Sequence, residues 1–218
     1  MLAAAFVLLV VTYFVSLPTI QEVVSGPPSQ QISVAQVAQF FLPLFLDTVL
    51  FVYWALSTKR NAELLVLKVS IYYVDARDSL RRGAKFVMAG TIPLFISYVV
   101  LFVFYIYSSS TDGFMADVIY YLNIIYGYLG PLLLLVGFFY IGKGYAEIER
   151  KEHRRPVGGT MMIVGAFAAL LSYLFYNTEV FITKLLPSSA LSLLIVSSLV
   201  IILIGIVVVA MTFRALRP

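Results

Sequence analysis

Six apolar blocks of about 20–25 residues follow one another along this chain, separated by short polar segments. They cover residues 1–20, 34–57, 86–107, 117–141, 157–176 and 190–213. Each block is long enough to cross a hydrocarbon core of about 30 Å, which needs about 20 helical residues. A spanning segment must also satisfy its backbone polar groups internally, which selects helices over irregular structure. Composition agrees. The chain is 61% hydrophobic and 12% charged, with mean hydropathy +0.98, whereas ordinary soluble domains are about 45–50% apolar and about 25% charged. The expected fold is an all-α polytopic membrane bundle of six transmembrane helices, forming one domain over 1–218.

Residues 58–85 do not fit that pattern. Ala62–Ala76 is apolar but short and includes Glu63, Lys68 and Asp75. Basic residues lie on both sides of it, so a crossing would place one cluster outside, against the positive-inside rule. The stretch 61–82 is therefore expected as an interfacial or re-entrant helix on the cytoplasmic side. Residues 142–156 (GKGYAEIERKEHRRP) are expected as a charged loop. With 58–85, 142–156 and the C-terminal tail inside, every Lys and Arg except Lys184 is cytoplasmic. This orientation predicts a multi-pass plasma-membrane protein with both termini in the cytoplasm. Residues 1–20 lack a basic leading region and a small-residue cleavage site, and are read as a retained span.

An internal repeat is also legible. Gly90 and Ser97-Tyr98 recur 75 residues later as Gly165 and Ser172-Tyr173, and Gly130 recurs as Gly205 at the same offset. Arg81-Arg82 and Arg154-Arg155 precede the two copies. With Thr12-Tyr13 in the first block, the pattern implies three helical hairpins.

The second block, VAQVAQFFLPLFLDTVLFVYWALS, holds the sharpest functional signal. Gln36, Gln39, Pro43 and Asp47 fall within about 80° on one helical face. An acid near the middle of a spanning helix costs roughly 2.5–3.5 kcal/mol on insertion scales, so it must face protein or water. In the fourth block Tyr120, Asn123, Gly127 and Gly130 share a face, with Pro131 just beyond. Asp47, Gln36, Gln39, Tyr120 and Asn123 are the candidates for a transport path or a buried polar seam. Pro43, Gly127, Gly130 and Pro131 are candidates for helix bending or close packing. The expected function is channel- or transporter-like. The alternative is a non-catalytic accessory subunit of a larger membrane complex, with the same polar residues fastening its helices.

Other chemistry is poorly represented. No His-Glu-x-x-His, P-loop or G-x-S-x-G occurs, and His153 is the single histidine, in a charged segment. Gly142-Lys143-Gly144 lacks the further glycine and the preceding strand of a nucleotide loop. There is no cysteine. No enzyme activity, metal or cofactor is expected. The net charge of +4 reflects a cytoplasmic basic belt of Arg81, Arg82, Lys85, Arg150, Lys151, Arg154 and Arg155, suited to anionic headgroups rather than nucleic acid. The lipid bilayer is the first expected partner, with further copies of the chain or other membrane subunits beside it.

Arg81-Arg82-Gly83 before one span, Phe138–Tyr145 (FFYIGKGY) leaving the next and Gly158-Gly159 opening another form a pattern over about residues 75–180. It resembles an uncharacterised family of archaeal multi-span membrane proteins. The resemblance implies an archaeal plasma membrane and brings no particular activity.

Overall fold

A computed structural model describes residues 34–68, 73–107, 113–177 and 188–214. Among them there are five helices and no strand: α1 (Val34–Lys68), α2 (Val74–Tyr107), α3 (Gly113–Lys151), α4 (Val157–Asn177) and α5 (Ser188–Arg214). The first apolar block, residues 1–20, lies outside the described residues.

Two stretches differ from expectation. Residues 61–82 do not form one separate helix: α1 continues through Lys68 and α2 begins at Val74. Of the expected loop 142–156 only residues 152–156 lie outside helix, because α3 runs on to Lys151 and α4 begins at Val157. Ala, Glu, Ile, Arg and Lys all sit well in a helix, and Ala146 and Ile148 are buried there. Helices α1, α2 and α3 hold 35, 34 and 39 residues, so each is about 50–60 Å long at 1.5 Å per residue. That exceeds a hydrocarbon core by about 20 Å or more.

Among the described residues two helices are long and apolar enough to cross a membrane, over Val74–Val100 and Tyr128–Lys151, rather than all of the expected six; the described apolar parts of α4 and α5, Val157–Ser172 and Val196–Met211, are shorter.

The chain divides into two compact units, Met1–Tyr53 with Ala89–Pro131 and Trp54–Met88 with Leu132–Pro218. In the first, Phe41 is buried and meets Phe102 edge-on at 5.5 Å, while Phe45 meets Phe95 at 5.7 Å; these contacts join α1 to α2. Gly130 of α3 lies against the Gly90 carbonyl and Leu94 of α2. The outward face of α1 is apolar at helical spacing: Leu42, Leu46, Val49 and Tyr53 are exposed.

The second unit is built on small residues. Gly83 and Gly137 face each other across α2 and α3, and Gly144 abuts Leu80 and the Ala76 carbonyl. Gly142, two residues from Gly144, faces the other way, against Met162 and the Gly159 carbonyl of α4. The Gly-Lys-Gly triplet therefore serves two helix contacts, with Lys143 exposed between them. Helix α4 packs on α5 through Gly158 against Val209 and Gly165 against Ile202. Val164, Phe167, Leu171 and Leu174 of α4 point outward. Small residues bring the backbones together beside buried Leu80, Ile141, Met162 and Ile202 while large apolar residues also face outward, which matches helix packing in lipid.

The repeat has a structural counterpart, in a changed register. Gly83 abuts Ile141, and Gly137 lies on the Gly83 carbonyl and Val87; Gly158 abuts Val209, and Gly205 lies on the Gly158 carbonyl and Met162. Helix α2 thus maps onto α4 at an offset of 75, as the sequence implies, but α3 maps onto α5 at 68. The difference is one heptad. A small residue every seven positions on each seam lets the pairing slip by two turns and still set small against small.

Candidate functional site

The proposed path residues are all in helices. Gln36, Gln39, Pro43 and Asp47 belong to α1, and Tyr120, Asn123 and Gly127 to α3; their side chains lie outside the described residues. Gly130 is buried on α2. Pro131 is half-exposed, and α3 continues through it.

What the described side chains build is a polar head in the second unit, made from the charged ends of α1, α2 and α3 with the start of α4. Ala62, Ala76 and Leu80 are buried there. Tyr145 of α3 is hydrogen-bonded to Thr58 and Asn61 of α1, and the Thr58 hydroxyl donates to the Trp54 carbonyl at 2.9 Å. Trp54 in turn packs on Phe138 at 4.8 Å. The Tyr73 hydroxyl donates to Glu152, and Lys151 lies over the Tyr73 ring, 5.8 Å from its centre, while bridging to Glu147 at 3.6 Å.

Glu149 organises the turn between α3 and α4. It is 2% exposed, and its carboxylate accepts the Gly159 N–H at 3.1 Å and also the Gly158 N–H. The first four N–H groups of a helix lack intrahelical partners. In α4 all four are accounted for: Val157 donates to Arg155, Gly158 and Gly159 to Glu149, and Thr160 to Pro156. A negative group here also meets the positive end of the helix dipole. At the other side of the turn, the Arg154 N–H donates to the Glu149 carbonyl and the His153 N–H to the Arg150 carbonyl. That pair of bonds is a Schellman motif, with His153 at the left-handed position, φ 55°. One residue thus closes α3 with its backbone and opens α4 with its side chain.

His153 was expected on a solvated charged segment, and it is exposed; its backbone carries the structural role. Glycine at this position is expected to raise stability by about 0.5 kcal/mol, since relief of left-handed strain outweighs the added freedom of the unfolded chain. Valine is expected to lower it by more than about 1 kcal/mol, being β-branched at positive φ. Thermal unfolding of the two variants beside the parent checks both signs.

Glu149 was not singled out in the sequence. The signal available was one of three glutamates in a charged segment followed, after Pro156, by Gly158-Gly159 at the head of an apolar block. Among the described residues no buried side-chain nitrogen or oxygen lacks a partner, and no cluster of His, Asp or Glu forms a metal-binding group.

Arg81, Arg82, Lys85, Arg150, Arg154 and Arg155 are exposed on this head, with Lys151 half-buried. No protein-family model, curated protein or solved structure matches the chain. The reading of its function therefore rests on its own residues.

Proposed function

We propose that this is a multi-pass plasma-membrane protein with six spans and cytoplasmic termini, of the archaeal type that residues 75–180 resemble. In this reading the Asp47 stripe of α1 lines a polar transport path. The observation that carries it is the division of faces on α1. Leu42, Leu46, Val49 and Tyr53 form an exposed apolar stripe, and the positions of Gln36, Pro43 and Asp47 fall about 100–140° around the helix from Leu42. Such a position lies away from the exposed stripe, and an acid costs least on a face that meets other helices. Tyr120 and Asn123 of α3 would supply the facing polar groups. The paired-glycine seams and outward apolar faces of α4 and α5 support the lipid setting.

Purified protein in proteoliposomes, loaded with a panel of ions and small solutes, tests the path. Asp47→Asn is expected to change flux at least about tenfold, equivalent to about 1.4 kcal/mol at the barrier, with an unchanged melting profile. Equal flux in parent and variant would remove the role assigned to Asp47. The accessory-subunit reading draws on the same outward apolar faces, which suit neighbouring helices as well as lipid. Recovery of a fixed stoichiometric partner from native membranes in mild detergent would favour it.

A further inference from the structure

The exposed charge of the polar head is mostly positive. Glu149 is buried against the α4 N–H groups, Glu147 pairs with Lys151, Glu152 accepts from Tyr73, and Asp78 pairs with Arg77 at 3.2 Å. Four of the six acids of the head are engaged in this way, and Glu63 and Asp75 are exposed. Lys59, Arg60, Arg81, Arg82, Lys85, Lys143, Arg150, Arg154 and Arg155 are exposed and form no ion pair among the described residues. The head therefore presents uncompensated positive charge just where the uncharged runs of α2 and α3 begin.

One part of that shell has a defined form. Phe86 of α2 and Tyr140 of α3 lie parallel and offset, 5.6 Å between centres and 4° from parallel. Phe139, exposed, meets Tyr140 edge-on at 5.9 Å. Because α2 and α3 run antiparallel, Arg82 lies one turn toward the head from Phe86, and Lys143 one turn toward the head from Tyr140. Two exposed cations thus flank an aromatic pair at the boundary between charged and uncharged helix. Aromatic rings and basic side chains at such a boundary are the elements that meet lipid headgroups.

The second hairpin provides an internal comparison. By the offsets of 75 and 68, the positions matching Arg82, Phe86, Tyr140 and Lys143 are Val157, Met161, Val208 and Met211. Val157 and Met211 are 46% and 67% exposed, so the seam packs equally well with apolar residues at the outer positions. Packing does not call for the cations of the first hairpin. A ligand does.

We infer that Arg82 and Lys143, set above the Phe86–Tyr140 stack, form a binding site for the headgroup phosphate of an anionic phospholipid, with Phe139 against its chains. Arginine supplies directed donors to the phosphate oxygens and lysine a mobile point charge. The site rests on the membrane setting proposed above but not on the transport path.

The test uses the full chain in a neutral detergent. Native mass spectrometry counts bound phosphatidylglycerol against phosphatidylcholine, with and without excess inorganic phosphate. A parallel carbonate wash of membranes asks whether the chain is embedded. The parent is expected to retain phosphatidylglycerol at least fivefold over phosphatidylcholine. Arg82→Gln with Lys143→Gln is expected to lower phosphatidylglycerol retention at least fivefold and leave phosphatidylcholine retention unchanged. Arg154→Gln with Arg155→Gln is expected to reduce it less than twofold, and Arg82→Lys with Lys143→Arg to keep it. Should the glutamine pair fail to fold, Lys143→Met, the residue of the second hairpin, serves in its place, with at least a twofold loss expected. Equal retention of the two lipids, equal loss in the Arg154/Arg155 variant, or displacement by inorganic phosphate would overturn the site. Release of the chain by carbonate would instead overturn the membrane setting.

Discussion

Replacing Gly159 by alanine is expected to destabilise the protein by about 3 kcal/mol or more, at the upper end of what overpacking costs. An added Cβ would collide with the Ala146 nitrogen and lie 2.6 Å from its Cα and 2.6 Å from the Gly142 carbonyl. All three are backbone atoms of α3, so no side-chain rotation relieves the clash, and α3 and α4 must separate. Gly158→Ala meets the Val209 side chain first, at 2.7 Å, and is expected to cost less. Thr160→Ala, at an exposed position one residue on, is expected to stay within about 0.5 kcal/mol. Melting of the three variants in one detergent checks the ranking Gly159→Ala, Gly158→Ala, Thr160→Ala. A mild Gly159→Ala would show that the helices are not in backbone contact there.

Removing the Glu149 side chain is the second large effect. Glu149→Ala strips the acceptor from two N–H groups in a buried setting, and each such loss costs about 1–3 kcal/mol. The expected total is about 2–4 kcal/mol. Glu149→Gln keeps one acceptor oxygen in place and is expected to lose about half as much. Glu149→Leu separates packing from hydrogen bonding: it refills the space but still leaves Gly158 and Gly159 without their acceptor, so it is expected to resemble alanine. A leucine variant as stable as the parent would mean that the carboxylate merely fills volume. Amide exchange at the start of α4 gives a local readout, since protection there is expected to fall in the alanine and leucine variants first.

These two residues mark where sequence reading stopped. The helical class was legible because apolar blocks of spanning length recur, and the recurrence of Gly90, Gly130 and Ser97 at an offset of 75 already pointed to similar hairpins. The offset of 68 for α3 against α5 was not legible, since a heptad slip leaves the same residue types at the seam. The charged stretch 142–156 reads as a loop from its polarity, but Ala146, Ile148 and Glu149 are buried. Polarity on the outer face of a helix and polarity in a loop look alike until the inner face is found. Gly142 and Gly144 show this most directly: as a triplet with Lys143 they resemble a weak loop motif, and in the fold they admit α4 and α2 from opposite sides.

Sequence by itself determined the all-α class, the polar stripe containing Asp47, and the basic belt with its bias to one end, because hydropathy and charge are local properties of the chain. Only the tertiary structure decided that most of the belt sits on helical extensions, with Arg154 and Arg155 in the short turn between α3 and α4. It also decided that the head's acids are largely engaged while many of its cations are left outward, and that Glu149 joins α3 to α4. Each of these depends on which small residues let two backbones approach, and that choice is made between helices, not along them.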